Sequence, residues 1–348
     1  MKAIKLITLS CITLIKLSAC EKLFLRPNPP TDPLSIFNEY IILVKQKYAM
    51  LDAKNVDIDA LADSLRSTIP ANINEQQLFI KLKIIVERLK DGHSSLIEDQ
   101  TNPNSMIAQY DLLAGFPPGI DINILFNNYL NKQVNSSIKT LDGGEESDVG
   151  FRAIWGRLPD HQDIAYIWIP SWNVTISDEE IEIIFSDIKG TKGLIFDQRL
   201  NNGGDPSLAA KFASYFTDKP VYIGFEKFKV GPQSNDFADS PATFKPTNSI
   251  NKYLKPVMVV TDRNVFSAAT SFCYSVDPLP QITFIGQRTG GGSGSVADGW
   301  YWGLSVSEFI DAKNHHLDNG FEPDIAVILD TTNKIQDEVI ERALQELR

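Results

Sequence analysis

Cysteine and histidine are scarce in this 348-residue chain, with three of the first and four of the second. Cys11, Cys20 and Cys273 cannot build a disulfide framework, and His93, His161, His315 and His316 have no zinc-ligand spacing with them. Neither a covalent staple, a bound metal nor another cofactor is expected. Positive charge is also short: 33 Lys plus Arg face 44 Asp plus Glu, a formal net charge of −11 at pH 7. That balance argues against nucleic acid as a partner. Beyond the N-terminus no apolar run reaches transmembrane length, and no internal repeat is visible. What remains, at 43% hydrophobic residues, is an ordinary globular composition for which two domains are the expectation.

The N-terminus stands apart. Residues 1–19 carry Lys2 and Lys5, an apolar run from Leu6 to Ile15, and small residues at Ser18 and Ala19, the build of a secretory signal. The ending Leu17-Ser18-Ala19-Cys20 resembles the bacterial lipobox, which implies lipidation of Cys20 and a place in the cell envelope, on its periplasmic or outer-surface side. Lys16 inside the apolar stretch is discordant, and a plain signal peptide with a chance cysteine, or a buried helix, is the simpler alternative. Residues 20–33, with Pro27, Pro29, Pro30 and Pro33, read as an extended tether.

Three helical patterns follow: Phe37, Ile41, Val44 and Tyr48; Ile58, Leu61 and Leu65; Leu78, Leu82, Ile85 and Leu89. Each puts its apolar residues on one face, which predicts a small helical bundle over 34–99. Asp57, and Asn74 with Gln77, supply cap chemistry. Residues 100–162 give weak signals and stay an unassigned connection. From Ile164 onward short apolar runs alternate with helical ones, the pattern of a sheet with crossover helices, so 163–348 is read as an α/β unit. Strands are expected at 164–168, 193–197, 257–261, 283–285 and 325–329, and helices at 178–188, 207–216, 267–276 and 337–347. Between Phe225 and Asn251 a polar stretch with Gly231, Pro232, Pro241 and Pro246 reads as an irregular loop over a site.

In such a sheet ligands bind where strands lead into helix N-termini. Two loops qualify. Residues 197–204 end on Gly203-Gly204, whose backbone N–H groups can approach an anion closely. Residues 261–269 put Ser267 in the first turn of a helix straight after a buried strand. That serine is either an N-cap or a nucleophile whose oxyanion meets the next backbone N–H. Asp197 and Arg199 read equally as a structural ion pair. The glycine run 290–292 lacks a following Gly-Lys-Ser/Thr, which removes a nucleotide site.

Leu-Lys-Asp-Gly-His at 89–93, Asp-x-Arg-x-Asn-x-Gly-Gly at 197–204, Phe-Ser-Ala-Ala at 266–269, Gly-Gln-Arg-Thr-Gly-Gly-Gly at 286–292 and Gly-Phe-Glu-Pro-Asp-Ile at 320–325 occur in one order. In that order they resemble the C-terminal processing (tail-specific) serine peptidases over nearly all of the exported chain. The resemblance implies a crossover-connected α/β sheet of the tail-specific protease, ClpP-crotonase-like type behind a helical cap. Members with a Ser-Lys dyad carry Thr-x-Gly-Lys-Gly, and that frame puts Gly292 where the lysine belongs. The tricorn-like branch, in which a histidine is the base, is the better match. No PDZ module is expected in 100–162.

The resemblance therefore implies a serine endopeptidase acting on peptide or protein substrates in the cell envelope. Ser267 would be the nucleophile, His93 the base, and Asp318 or Glu322 the acid that orients the imidazole, with Asp318 favoured by its place before Gly320. The Ala268 N–H and one from Gly203 or Gly204 would bind the oxyanion. Activity is expected to follow a histidine limb between about pH 6 and 7.5. A catalytically silent relative holding a peptide or lipophile, and a small-ester hydrolase with the same triad, are the rival readings.

Overall fold

The computed structural model describes residues 31–130, 137–143, 149–233, 235–292, 294–299 and 302–348; the expected signal segment, residues 1–19, and Cys20 lie outside them. Three helices open the fold: α1 (Pro33–Lys47), α2 (Ile58–Arg66) and α3 (Glu75–Leu89). Each begins where the sequence offers a cap. Asp32 accepts the Ser35 N–H with Pro33 at the first helical position, Asp57 accepts the Ala60 N–H, and Asn74 with Gln77 forms a reciprocal capping box. Their apolar stripes, Phe37, Val44, Ile58, Ile85 and Leu89 among them, close on one another.

Helices alone do not seal this core. A small antiparallel sheet covers it, made of β1 (Ser95–Ile97), β2 (Ile107–Gln109) and two strands from far downstream, Val296–Asp298 and Trp302–Ser305. Leu96, Ala108 and Leu304 share the helical core. The unit thus draws in residues beyond 34–99, because strands of three or four residues are too short to show a period in sequence.

The chain enters a seven-stranded sheet through β3 (Lys139–Asp142), β4 (Phe151–Leu158), β5 (His161–Trp168) and β6 (Gly193–Asp197). It leaves for a hairpin, β7 (Val221–Lys229) and β8 (Phe237–Phe244). It returns as β9 (Val257–Thr261), β10 (Ile282–Gly286) and a closing strand, Ile325–Ala326. The spatial order is closing strand, β10, β9, β6, β5, β4, β3, parallel from the closing strand to β5 and antiparallel beyond. Every residue of β6 and β9 is buried, which is why both read as unbroken apolar runs.

Helices cover both faces. α4 (Asp178–Ile188), α5 (Pro206–Ala213) and α6 (Ala268–Val276) bury Phe185, Phe196, Phe212 and Phe272 on one side. α7 (Glu338–Glu346) packs Ile340 against Tyr166, Ile195 and Val260 on the other. The result is a mixed α/β fold with a helical cap, as the sequence pattern predicts.

Three details differ from that pattern. The unassigned 100–162 stretch contributes β3 and β4, so the main sheet starts upstream of 163. The 225–251 stretch is no irregular loop: β7 and β8 pair with Ser307–Asp311 in a three-stranded sheet. Pro241 is tolerated there because β8 is an edge strand, and its polar alternation conceals a strand exposed along much of its length. The last strand keeps only Ile325 and Ala326 of the expected 325–329.

Candidate active site

The glycine loop and the serine loop leave the carboxyl ends of two adjacent parallel strands, β6 and β9. Asn201 ties them together. Its backbone carbonyl accepts the Phe266 N–H at 3.1 Å, while its side-chain oxygen takes the N–H of Gly203 at 3.0 Å and of Trp172 at 3.2 Å. Gly203 has φ +102°, and a Cβ there would lie 2.7 Å from the Ser267 Cβ, so only glycine permits this approach.

Ser267 stands at the N-cap position of α6, yet its hydroxyl makes no capping bond. Its φ of +54° is a left-handed conformation that costs a non-glycine residue about 1–3 kcal/mol. Its own N–H, held by the Gly291 carbonyl at 2.9 Å, braces the turn. The hydroxyl lies 3.0 Å from Nε2 of His93. The N-cap alternative therefore does not describe how this hydroxyl is used.

His93 comes from the other unit, between α3 and β1. Asp91, fully buried, accepts the His93 N–H at 2.9 Å and the hydroxyls of Ser94 and Ser305 at 2.6 and 2.7 Å. The His93 ring packs on Phe266 with centroids 4.6 Å apart. Burial holds its pKa below the ordinary 6.5, with the Asp91 charge pulling it partly back. The imidazole is thus neutral at pH 7 and free to accept a proton. Its Nδ1 is buried without a hydrogen-bond partner among the described residues.

The two candidate acids part company. Glu322 is exposed and pairs with Arg288 Nε at 3.2 Å, so its carboxylate is committed to a surface ion pair outside the site. Asp318 is buried, but its carboxylate meets the Lys54 ammonium and no hydrogen bond joins it to His93 Nδ1. Burial and the Asp91 charge push its carboxyl up to about 7 against the pull of Lys54. Lys54 also donates to the carbonyls of Lys90 and Asp318, both at 3.2 Å, which bolts the cap onto the strand-leading turn.

Of the glycine pair, Gly203 has its N–H engaged by Asn201, which corrects its nomination as an oxyanion donor. The N–H groups of Gly204 and Ala268 have no acceptor among the described residues, and both residues line the cleft that opens at Ser267. Gly292 has φ +71°, and a Cβ there would fall 2.0 Å from the Phe266 ring. The ring that supports His93 therefore fills the space a lysine at 292 would need.

Arg199 and Asp197 are structural, as the alternative reading had it. The guanidinium, fully buried, contacts Asp197 at 2.6 Å, Asp337 at 2.6 Å and the Gly119 carbonyl at 3.1 Å, and Tyr166 donates to Asp197 at 2.8 Å. This network anchors the root of the glycine loop. Sequence reasoning missed Asp91, Lys54 and Phe266 as parts of the site. Asp91 had a signal, an acid two residues before the histidine in a loop; Lys54, in an irregular turn, had none.

Residues 163–327 match the family model for Peptidase family S41. No curated protein sequence matches the chain. A candidate peptidase from Parabacteroides merdae is similar in structure, with a TM-score of 0.79 at 27% identity over 91% of this chain and 97% of that one. Mature CPAF complexed with lactacystin follows the same fold, with a TM-score of 0.62 at 12% identity over 90% of this chain and 97% of its own. Mature CPAF alone gives 0.61 at 14% identity over 90% and 96%. The match of residues 163–327 to Peptidase family S41, with the fold shared with the Parabacteroides merdae protein, supports a serine peptidase.

Proposed function

We propose that the protein is an endopeptidase in which Ser267 attacks the scissile carbonyl and His93 Nε2 takes its proton. The observation that carries this reading is the 3.0 Å separation of the two atoms, with the hydroxyl released from capping. The tetrahedral oxyanion is received by the Gly204 and Ala268 N–H groups, at the positive end of α6. Collapse expels the amine with the proton from His93, and water, activated by the same nitrogen, hydrolyses the acyl-serine. Asp91 stabilises the imidazolium that forms, since its charge raises the histidine pKa. Asp318 is the orienting acid of the two nominated. Its burial supports that role, and to reach Nδ1 the unpartnered Oδ1 must close on the imidazole while Oδ2 keeps Lys54.

The lipobox-like ending at Cys20 and the proline-rich tether support a lipid-anchored enzyme of the cell envelope acting on peptides or proteins there. Among the described residues no helix is long and apolar enough to cross a membrane. A fluorophosphonate probe tests the nucleophile: labelling lost in Ser267→Ala supports the reading, and an unlabelled wild type leaves the silent relative. Turnover of casein exceeding that of short acyl esters separates a peptidase from an ester hydrolase.

A further inference from the structure

The cleft that opens at Ser267 is not electrically neutral. Glu226, on β7, reaches its wall beside Pro206, Ser271, Ser295 and Phe309. The strand pairing sets it there, for Glu226 lies opposite Phe309 in the register of β7 with Ser307–Asp311. One carboxylate oxygen accepts the hydroxyls of Ser295, at 3.2 Å, and Ser307. These donors fix the group's direction without neutralising it. No lysine, arginine or histidine pairs with it among the described residues, and the adjacent Lys227 turns instead to Glu308 at 3.1 Å.

A carboxylate held by two neutral donors in a partly enclosed cleft keeps a desolvation cost that only a cation relieves fully. Pro206 and Phe309 supply apolar walls of the kind that the methylene stem of a lysine or arginine lies along. We infer that Glu226 selects substrates with a basic side chain next to the scissile bond. This rests on the peptidase reading of Ser267 and adds the substrate class. A neutral side chain of equal length leaves the carboxylate unpaired, so the discrimination is expected to be roughly 10- to 100-fold in kcat/KM.

The test is digestion of an N-terminally acetylated peptide library by the purified full chain, with cleavage sites read by mass spectrometry and Ser267 labelling by a fluorophosphonate run alongside. Acetylation leaves side chains as the cations on offer near each N-terminus. Expected is an enrichment of Lys and Arg at one position flanking the cut. The ratio of basic to uncharged cleavage should fall about 10- to 100-fold in Glu226→Gln, and Glu226→Lys should turn the preference towards Asp and Glu. Labelled wild-type enzyme without basic enrichment, or a ratio unchanged in Glu226→Gln, overturns the inference and leaves the peptidase reading standing. Absence of both labelling and cleavage removes that reading and this one with it.

Discussion

His93 Nε2 lies 3.0 Å from Ser267 Oγ although 174 residues separate them in the chain. Nothing local joins the two: one follows a helix of the cap, the other opens a helix of the α/β unit, and docking of the units makes the contact. Groups that act as one device lose function together. Ser267→Ala and His93→Ala should each lower turnover by roughly three orders of magnitude or more, and the double variant should be scarcely worse than either. Steady-state kinetics of the four proteins, with thermal melts near wild type, checks this; additive losses would contradict a shared role.

Because burial lowers the His93 pKa, the histidine's own acidic limb of kcat/KM should lie below 6.5, towards or beyond the lower end of the 6–7.5 window expected from the sequence, while a limb near 7 would report protonation of Asp318. Activity rises with pH as the imidazole loses its proton. A pH profile with its limb above 7.5 would point to another base. Asp91→Asn should shift the limb further down, since the charge that favours the imidazolium is gone.

Asp318 and Glu322 should behave differently. Glu322→Gln, on an exposed ion pair, should stay within about 0.5 kcal/mol in stability and keep near wild-type turnover. Asp318→Asn should cost turnover, though one to two orders less than Ser267→Ala. It also carries a stability signature. With its folded pKa raised from 3.8 to about 7, Asp318 contributes stability that is fully present below pH 3.8 and is lost as pH rises through about 7. The Tm advantage of wild type over Asp318→Asn should therefore shrink between pH 5 and 8; a constant difference would refute the assignment.

Lys54 and Asp318 are both buried, with 8% and 3% of their side chains exposed. Removing one partner strands the other's charge, which costs about 3–5 kcal/mol. Urea denaturation at pH 8 should show a loss of that size in Lys54→Met and a partial recovery in Lys54→Met with Asp318→Leu.

Cys20→Ser should move the protein from the detergent phase to the aqueous phase on phase partitioning. Unchanged partitioning would locate the anchor elsewhere.

The helices, their caps and the buried parallel strands were legible in the sequence because each is written locally. Asn74 with Gln77 is a cap wherever it occurs, and the apolar runs of β6 and β9 have no other stable home than the middle of a covered sheet. Ordered motifs also singled out Ser267 and His93. The hairpin of β7 and β8 was not legible, since a half-exposed edge strand with a proline has the composition of a loop. Nor were the partners of the charged groups. Whether Asp318 meets Lys54 or His93, and whether Glu226 faces solvent or the cleft, depend on distances between segments far apart in sequence. Periodicity records the face a residue turns inward; only the docking of cap on sheet decides which charge it finds there, because Coulombic and hydrogen-bond energies fall off over a few ångströms that no linear spacing specifies.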